Sequence, residues 1–488
     1  VTRSGREWAA AAAIGAAALC LLFPSSAAAA RVQVIEQATS LTQGSIEQPN
    51  IRQGRGDYVT FVSDGDVTGP GTAHIGRREV YLWSRDSGAA ERITDSAGGE
   101  SYGASRLTDD FRTQNPTIMT FVSTADLDPS VGNSDGNPEI FLWLLGSGEF
   151  RQLTDTLAPV VNAAPFPSDT AECILFQSTG DLDNNDGSVT ASAPSGFSNA
   201  DGSAEIFYID FHDHELREFH ITQISDGPAG TTSSFGTVGG YFFPNQCANM
   251  VFQSDHDQFG NGSDGINVYD FRRGSALRDQ LSLPGDLGAQ NIEPRMSGTG
   301  VSAGGPSVVF ASDGDLLGNG SSGFNIFKFP VIAGSLRQVT GGPTGGHRRP
   351  AVSDGSAVVI FESTGEVADP SIRARRGPAG PYNPDGNSEI VRLVGKRTVR
   401  PITRTEGCTN DQASIMGNGA GLAFRSDCDL IAGFNPVGQP QLFVYYEVHL
   451  GDPLYDAAGC SIADACCSSA NGCYEEVVAR AYRVPRAR

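Results

Sequence analysis

The feature that most constrains this chain is a phrase repeated seven times: an apolar run ending in Phe-x-Ser, a polar turn usually carrying Asp, then a second short apolar run. Phe61, Phe121, Phe176, Phe252, Phe310, Phe361 and Phe424 each stand two residues before Ser63, Ser123, Ser178, Ser254, Ser312, Ser363 or Ser426, at spacings of 51 to 76 residues. The second run begins at Glu79, Glu139, Glu205, Asn267, Asn325, Glu389 or Gln441. A third phrase closes most units, as in Arg92-Ile-Thr94, Arg151-Gln-Leu-Thr154, Gln223-Ile-Ser225, Arg337-Gln-Val-Thr340 and Arg400-Pro-Ile-Thr403, with Gln280-Leu-Ser282 a weak version in unit four.

Short apolar or β-branched runs bounded by Gly, Asp, Asn and Pro are strands joined by hairpins, not helices. One such unit cannot cover its own apolar faces, so units must stack on one another. Four short strands per unit predict an all-β chain folded as a single β-propeller of seven four-stranded blades. Six blades plus an insertion is the competing count, because unit three is long and unit four degenerate. The last unit lacks a closing Leu-Thr phrase, whereas residues 32–42 read VQVIEQATSLT with no Phe-x-Ser before them. The N-terminal segment is therefore expected to supply the outer strand of blade seven, which removes an exposed edge.

Residues 1–30 carry Arg3 and Arg6, an apolar stretch from Trp8 to Phe23, then Pro24 and a small-residue run to Ala30. This pattern predicts a secretory signal peptide and an exported, periplasmic or extracellular product. No other stretch is long enough to span a bilayer, so an integral membrane protein is not expected. The propeller is assigned to residues 31–450 and a Cys-containing tail to 451–488, which leaves no room for an attached catalytic domain. Eight cysteines follow the leader, an even number that suits disulfide pairing in an oxidising compartment. Cys408 and Cys428 are symmetric about the turn at Asn418 and are expected to bond across the first hairpin of blade seven. Cys173 and Cys247, on adjacent blades, are a second candidate pair. A formal charge of −22 makes nucleic acid an unsuitable partner.

Blade six reads Pro350-Ala-Val-Ser353-Asp354-Gly355, then an apolar strand to Phe361, with Arg337-Gln-Val-Thr340 before it. Pro294 with Ser297, and Pro244 with Cys247, are weaker echoes. These phrases resemble the TolB-like β-propeller family, one of the WD40-like repeat propellers. That resemblance implies an exported propeller of a kind used as a protein-binding module, as a gating domain of serine peptidases, and in some secreted sugar-acid lyases.

Two sets of acidic loops are candidate sites. Asp181, Asp183 and Asn185 match the first, third and fifth positions of a calcium loop, although the sixth is Asp186 and the twelfth Ser192. Ordinary turn chemistry accounts for the same residues and is the favoured reading, so no cofactor is expected, with calcium the one exception. Asp135, Asp183, Asp264 and Asp385 sit on equivalent loops that should gather on one face. The Gly300-Val-Ser302-Ala-Gly304 stretch lacks the strand-to-helix setting of a nucleophile elbow. His212, His214 and His220 cluster near Asp213 and Glu215, a pattern more typical of surface residues than of a metal site.

The sequence therefore favours a noncatalytic, monomeric propeller that binds a protein or cell-envelope component through its acidic loops. The alternative is a secreted enzyme, lyase or hydrolase, acting on a polysaccharide or peptide at the mouth of the channel.

Overall fold

The computed structural model describes residues 31–449 apart from 53, 55, 69–74, 109–116, 183–196, 240–248, 273–276, 283–287, 299–305, 341–345, 366, 368–382, 396–397 and 437. The expected signal peptide and tail lie outside the described residues, as do Asp183, Asn185, Cys247 and Ser302. Residues 35–446 form one compact unit.

Seven four-stranded sheets make up the described fold. Six use consecutive strands; the first runs Ile46–Ile51, Tyr58–Ser63, Glu79–Ser84 and Ala89–Arg92. The seventh has the order Arg31–Gln37, Gln441–His449, Gly421–Ser426, Asn410–Ile415, so the N-terminal strand closes the ring. Among the described residues no helix is long and apolar enough to cross a membrane.

Each part of the repeated phrase has a physical task. The Phe is fully buried in every blade, at 0–1% exposure. It stacks on the aromatic of the neighbouring strand in six blades, as in Phe61 with Tyr81 (5.4 Å) and Phe310 with Phe327 (5.8 Å). Blade six has Val391 in that cross-strand position, and the ring of buried His347 packs edge-on to Phe361 instead, at 5.6 Å. In six blades the Ser hydroxyl accepts the backbone N–H two residues on, as Ser63 does from Gly65 and Ser426 from Cys428, whereas Ser363 donates to the carbonyl of Gly365. In five blades the Ser also meets the side chain of the first inner-strand residue: Ser101, Asn162, Ser233, His347 or Asn410.

The residue that opens the third strand is a buried hub. Glu79 Oε2 accepts from Thr94 Oγ1 (2.5 Å), and its carboxylate takes the Ser96 N–H (3.0 Å). Glu139 and Glu205 repeat this with Thr154 and Thr156, and with Ser225 and Gly227. Burial pushes both carboxyls up, and these hydrogen bonds to the charged form oppose it.

Ring closure reuses the same contact. Gln441 Oε1 accepts from Thr39 Oγ1 and from Leu41 N, each at 2.9 Å, while Leu442 N donates to Thr39 Oγ1 just as Val80 N donates to Thr94 Oγ1. Thr39 is thus the closing threonine of blade seven. The Leu41-Thr42 pair, which resembles the repeat phrase more closely, lies three residues too late; Asp66 caps Thr42 instead.

Candidate functional site at the ring axis

The innermost strand of each blade carries one backbone irregularity at its third residue. Gln48, Gly103, Ala164, Phe235, Glu293, Arg349 and Gln412 all have positive φ, between 46° and 65°. In six of the blades the register with the second strand slips at this point, the mark of a β-bulge. Six of these residues are not glycine, and a left-handed conformation costs each roughly 1–2 kcal/mol.

Contacts from neighbouring residues hold the bulges in place. Gln48 N donates to Gln412 Oε1 (2.5 Å), Glu293 N to Gln253 Oε1 (2.7 Å), Arg349 N to Glu293 Oε2 (2.6 Å) and Gln412 N to Glu362 Oε1 (2.5 Å). Gln253 and Glu362 are the middle residues of two Phe-x-Ser phrases, so the phrase that builds the blade core also latches the axis. Pro49, Pro165, Pro294 and Pro350 directly follow bulge residues. Pro294 and Pro350 had been legible as parts of a repeat; Pro49 and Pro165 are the signal that was missed.

The bulges line a cavity of about 390 Å³ with contributions from all seven inner strands. Its wall is divided. Blades one to four present Gln48, Pro49, Asn50, Gly103, Ala164, Pro165, Phe166 and Phe235 and no charged residue; the charged residues Glu293, Arg295 and Arg349 come from blades five and six, with Gln412 from blade seven. Phe235 remains 47% exposed, an uncommon state for a large aromatic in a strained backbone conformation.

Behind the charged wall runs an ion-pair chain. Glu293 pairs with Arg348 (3.4 Å); Arg349 reaches Glu362 (3.4 Å) and Asp411 (3.9 Å); Asp411 is held by Arg425 (2.5 Å). Burial, opposed by Arg349 and by the Gln412 N–H, raises Glu362 to about 7. Burial and the neighbouring Arg106 guanidinium bring Arg295 down to about 10, with Glu293 acting the other way, so Arg295 remains a cation at neutral pH.

The acids selected from sequence lie elsewhere. Asp135 Oδ2 accepts from Ala158 N (2.8 Å) and Asp385 Oδ2 from Gly407 N (2.9 Å), while Asp264 Oδ1 accepts from Gly265 N (2.9 Å). Each exposed carboxylate therefore spends an oxygen on pinning a loop. Asp181 accepts from Asn199 N (3.1 Å) and Ser198 Oγ (3.2 Å), a turn-capping role. His212 meets His220, ring centroids 4.3 Å apart, on the outer hairpin of blade three.

Cys408 and Cys428 are joined as a disulfide, and Cys173 is also disulfide-bonded, to a partner outside the described residues. The expectation of no cofactor, or of calcium, needs correction at this bridge. Among the described residues the group of metal-ligand type is Cys408, Asp427 and Cys428, whose ligand atoms lie within 4.8 Å of one another. Sulfur donors suit a softer ion such as zinc, whereas calcium takes oxygen ligands. While the bridge is intact neither sulfur is a thiolate, the form that ligates a metal.

No family model matches the chain, and no curated protein sequence matches it. Solved structures do. Oligogalacturonate lyase from Vibrio parahaemolyticus is similar over 84% of this chain and 93% of that one, at 12% identity and a TM-score of 0.51. A second oligogalacturonate lyase, in complex with manganese, matches over 86% of this chain and 98% of that one at 12% identity and a TM-score of 0.48. TolB from Acinetobacter baumannii matches over 67% and 61% of the two chains, at 15% identity and a TM-score of 0.35.

The first of these overturns the noncatalytic expectation. That expectation rested on the absence of a coherent nucleophile or metal group in the sequence and on the lack of room for a catalytic domain beside the propeller. A protein named as a lyase has nearly its whole chain in this fold, so a lone propeller suffices for chemistry.

Proposed function

We propose that the protein is an enzyme, a lyase or hydrolase acting on a polysaccharide in the cavity at the ring axis. Glu362 carries the reading: a buried carboxyl raised to about 7, bonded to two cavity-lining residues, Arg349 and Gln412. An acid with a pKa near the working pH both donates and accepts a proton, the property general acid–base catalysis requires. Asp411, 3.9 Å from Arg349, supplies a second carboxylate beside it. The name of the structural neighbour, oligogalacturonate lyase, supports the same reaction class. Export through the 1–30 leader and descent from the TolB-like repeat propellers complete the proposal.

The test is a product assay on a panel of neutral and acidic polysaccharides, run with the parent and with Glu362→Gln. Cleavage by the parent and a loss of about 10²–10⁴-fold in the variant are expected. The variant keeps an acceptor for the Gln412 N–H, as Gln253 does for Glu293, so it should fold. Its stability gives a second readout. A carboxyl raised from 4.5 to about 7 in the folded state costs stability as pH rises through that window, up to about 3 kcal/mol. Glu362→Gln should therefore gain on the parent above pH 7 and match it near pH 4. No product from any member of the panel would overturn the enzymic reading.

A further inference from the structure

The arginines around the cavity differ in one respect. Arg348 is matched by Glu293, Arg349 by Glu362, Arg425 by Asp411 and Arg106 by Asp169. Arg295 lines the cavity; among the described residues its guanidinium makes no ion pair within 4.0 Å and no side-chain hydrogen bond, and Glu293 acts on it only from beyond that distance. Its guanidinium lies 5.5 Å from the centre of the Phe166 ring, and Arg106 lies 4.8 Å from the same ring. An unmatched guanidinium beside a second cation, partly withdrawn from water, is a place where an anion lowers the energy. Its planar fork fits a carboxylate bidentately.

Phe235 is the second unexplained group. All seven bulges share the backbone conformation, so the fold accounts for its φ of 53° but not for an aromatic side chain 47% exposed in a cavity. Phe166 lies against the Arg295 guanidinium, Phe235 stands on the blade between them, and the amides of Gln48, Asn50 and Gln412 line the same cavity from blades one and seven. Flat apolar surfaces, scattered amides and one unmatched cation suit a ring that has C–H faces, hydroxyls and one carboxylate.

A peptide suits the wall less well. Peptides that add to a sheet need free backbone donors along an edge. Here the N–H groups of Gln48, Ile51, Glu293, Met296, Arg349 and Gln412 already donate to side chains of this chain.

We infer that Arg295 binds the carboxylate of a uronic acid residue whose ring lies against Phe235 and Phe166, and that this subsite sets the preference of the cavity for acidic saccharides. The inference rests on the polysaccharide reading for the polymer, but equilibrium binding tests it without turnover. Calorimetry with a trimer of galacturonic acid and a neutral galactose trimer, on Glu362→Gln to prevent cleavage, should show the acidic trimer bound at least tenfold more tightly. Adding Arg295→Gln should erase that preference, and Arg295→Lys should keep part of it. Adding Phe235→Ala should weaken both trimers alike. A thermal melt of each variant separates loss of the subsite from loss of the fold, and Arg295→Lys keeps the test usable if Arg295→Gln fails to fold.

Equal binding of the two trimers, or a preference that survives Arg295→Gln, would overturn the inference. So would an acidic tripeptide that displaces the uronate trimer through Arg295 with higher affinity. Arg295-dependent binding with no cleavage of any polysaccharide by the parent would leave the subsite standing and remove the enzyme. Cleavage confined to neutral polysaccharides would do the reverse.

Discussion

The body of the blades and the wall of the axis are built on opposite principles. In the body the side chains repeat: a buried Phe, a Ser that closes its own turn, and a Glu, Asn or Gln hub bonded to Thr or Ser of the next strand. At the axis the backbone repeats and the side chains do not. Seven positive-φ residues in equivalent places carry Gln, Gly, Ala, Phe, Glu, Arg and Gln. Repetition of side chains marks where packing decides the residue. Repetition of backbone with varied side chains marks a scaffold free to be specialised.

The body is where the comparison breaks most sharply. Phe310→Ala removes a ring at 0% exposure that stacks on Phe327, and should cost about 3–5 kcal/mol in denaturant unfolding. A loss below about 1 kcal/mol would mean the repeated Phe is not what holds a blade together.

His347 tests a body position that departs from its equivalents in chemistry. It stands where Asn162 and Asn410 stand, its Nδ1 2.9 Å from Ser363 Oγ, and burial lowers its pKa to about 4. The unfolded chain binds a proton there below about 6.5 and the folded chain does not until about 4, so stability should fall by up to about 3 kcal/mol as pH drops through that window. His347→Asn should flatten this part of the pH–stability curve while leaving stability at pH 8 within about 1–2 kcal/mol of the parent. An unchanged acid limb in the variant would place its cause elsewhere.

The smallest expected effect lies at the axis. A methyl group at Gly103 would meet only Val122, 3.4 Å away, and the other six blades already place a side chain at this φ. Gly103→Ala should therefore cost no more than about 1–2 kcal/mol, the left-handed penalty alone. A larger loss would show that blade two, unlike the rest, cannot accept a side chain at its bulge.

Blade number, the Phe-x-Ser cores and closure by the N-terminal strand were legible because a period of about 50–76 residues repeats the same local chemistry. Which threonine closes the ring was not legible, since Leu41-Thr42 looks more like the phrase than Thr39 does; strand register settled it. Both halves of the Cys408–Cys428 bridge could be read from one hairpin. The candidate site could not be read in this way. Glu293, Arg295, Arg349, Glu362 and Asp411 come from three blades; the prolines after Glu293 and Arg349 mark a repeat position, but nothing local marks any of the five as facing the others. Their chemistry comes from burial and from neighbours on other strands, some of them in the next blade, as where Glu293 meets Arg348 across 55 residues and Glu362 meets Gln412 across 50. The loop acids, by contrast, were conspicuous in sequence because Asp, Asn and Gly favour turns, and in the fold they bond to turns. Repetition along the chain determined the ring. Closing that ring determined which unlike residues face one another across its axis.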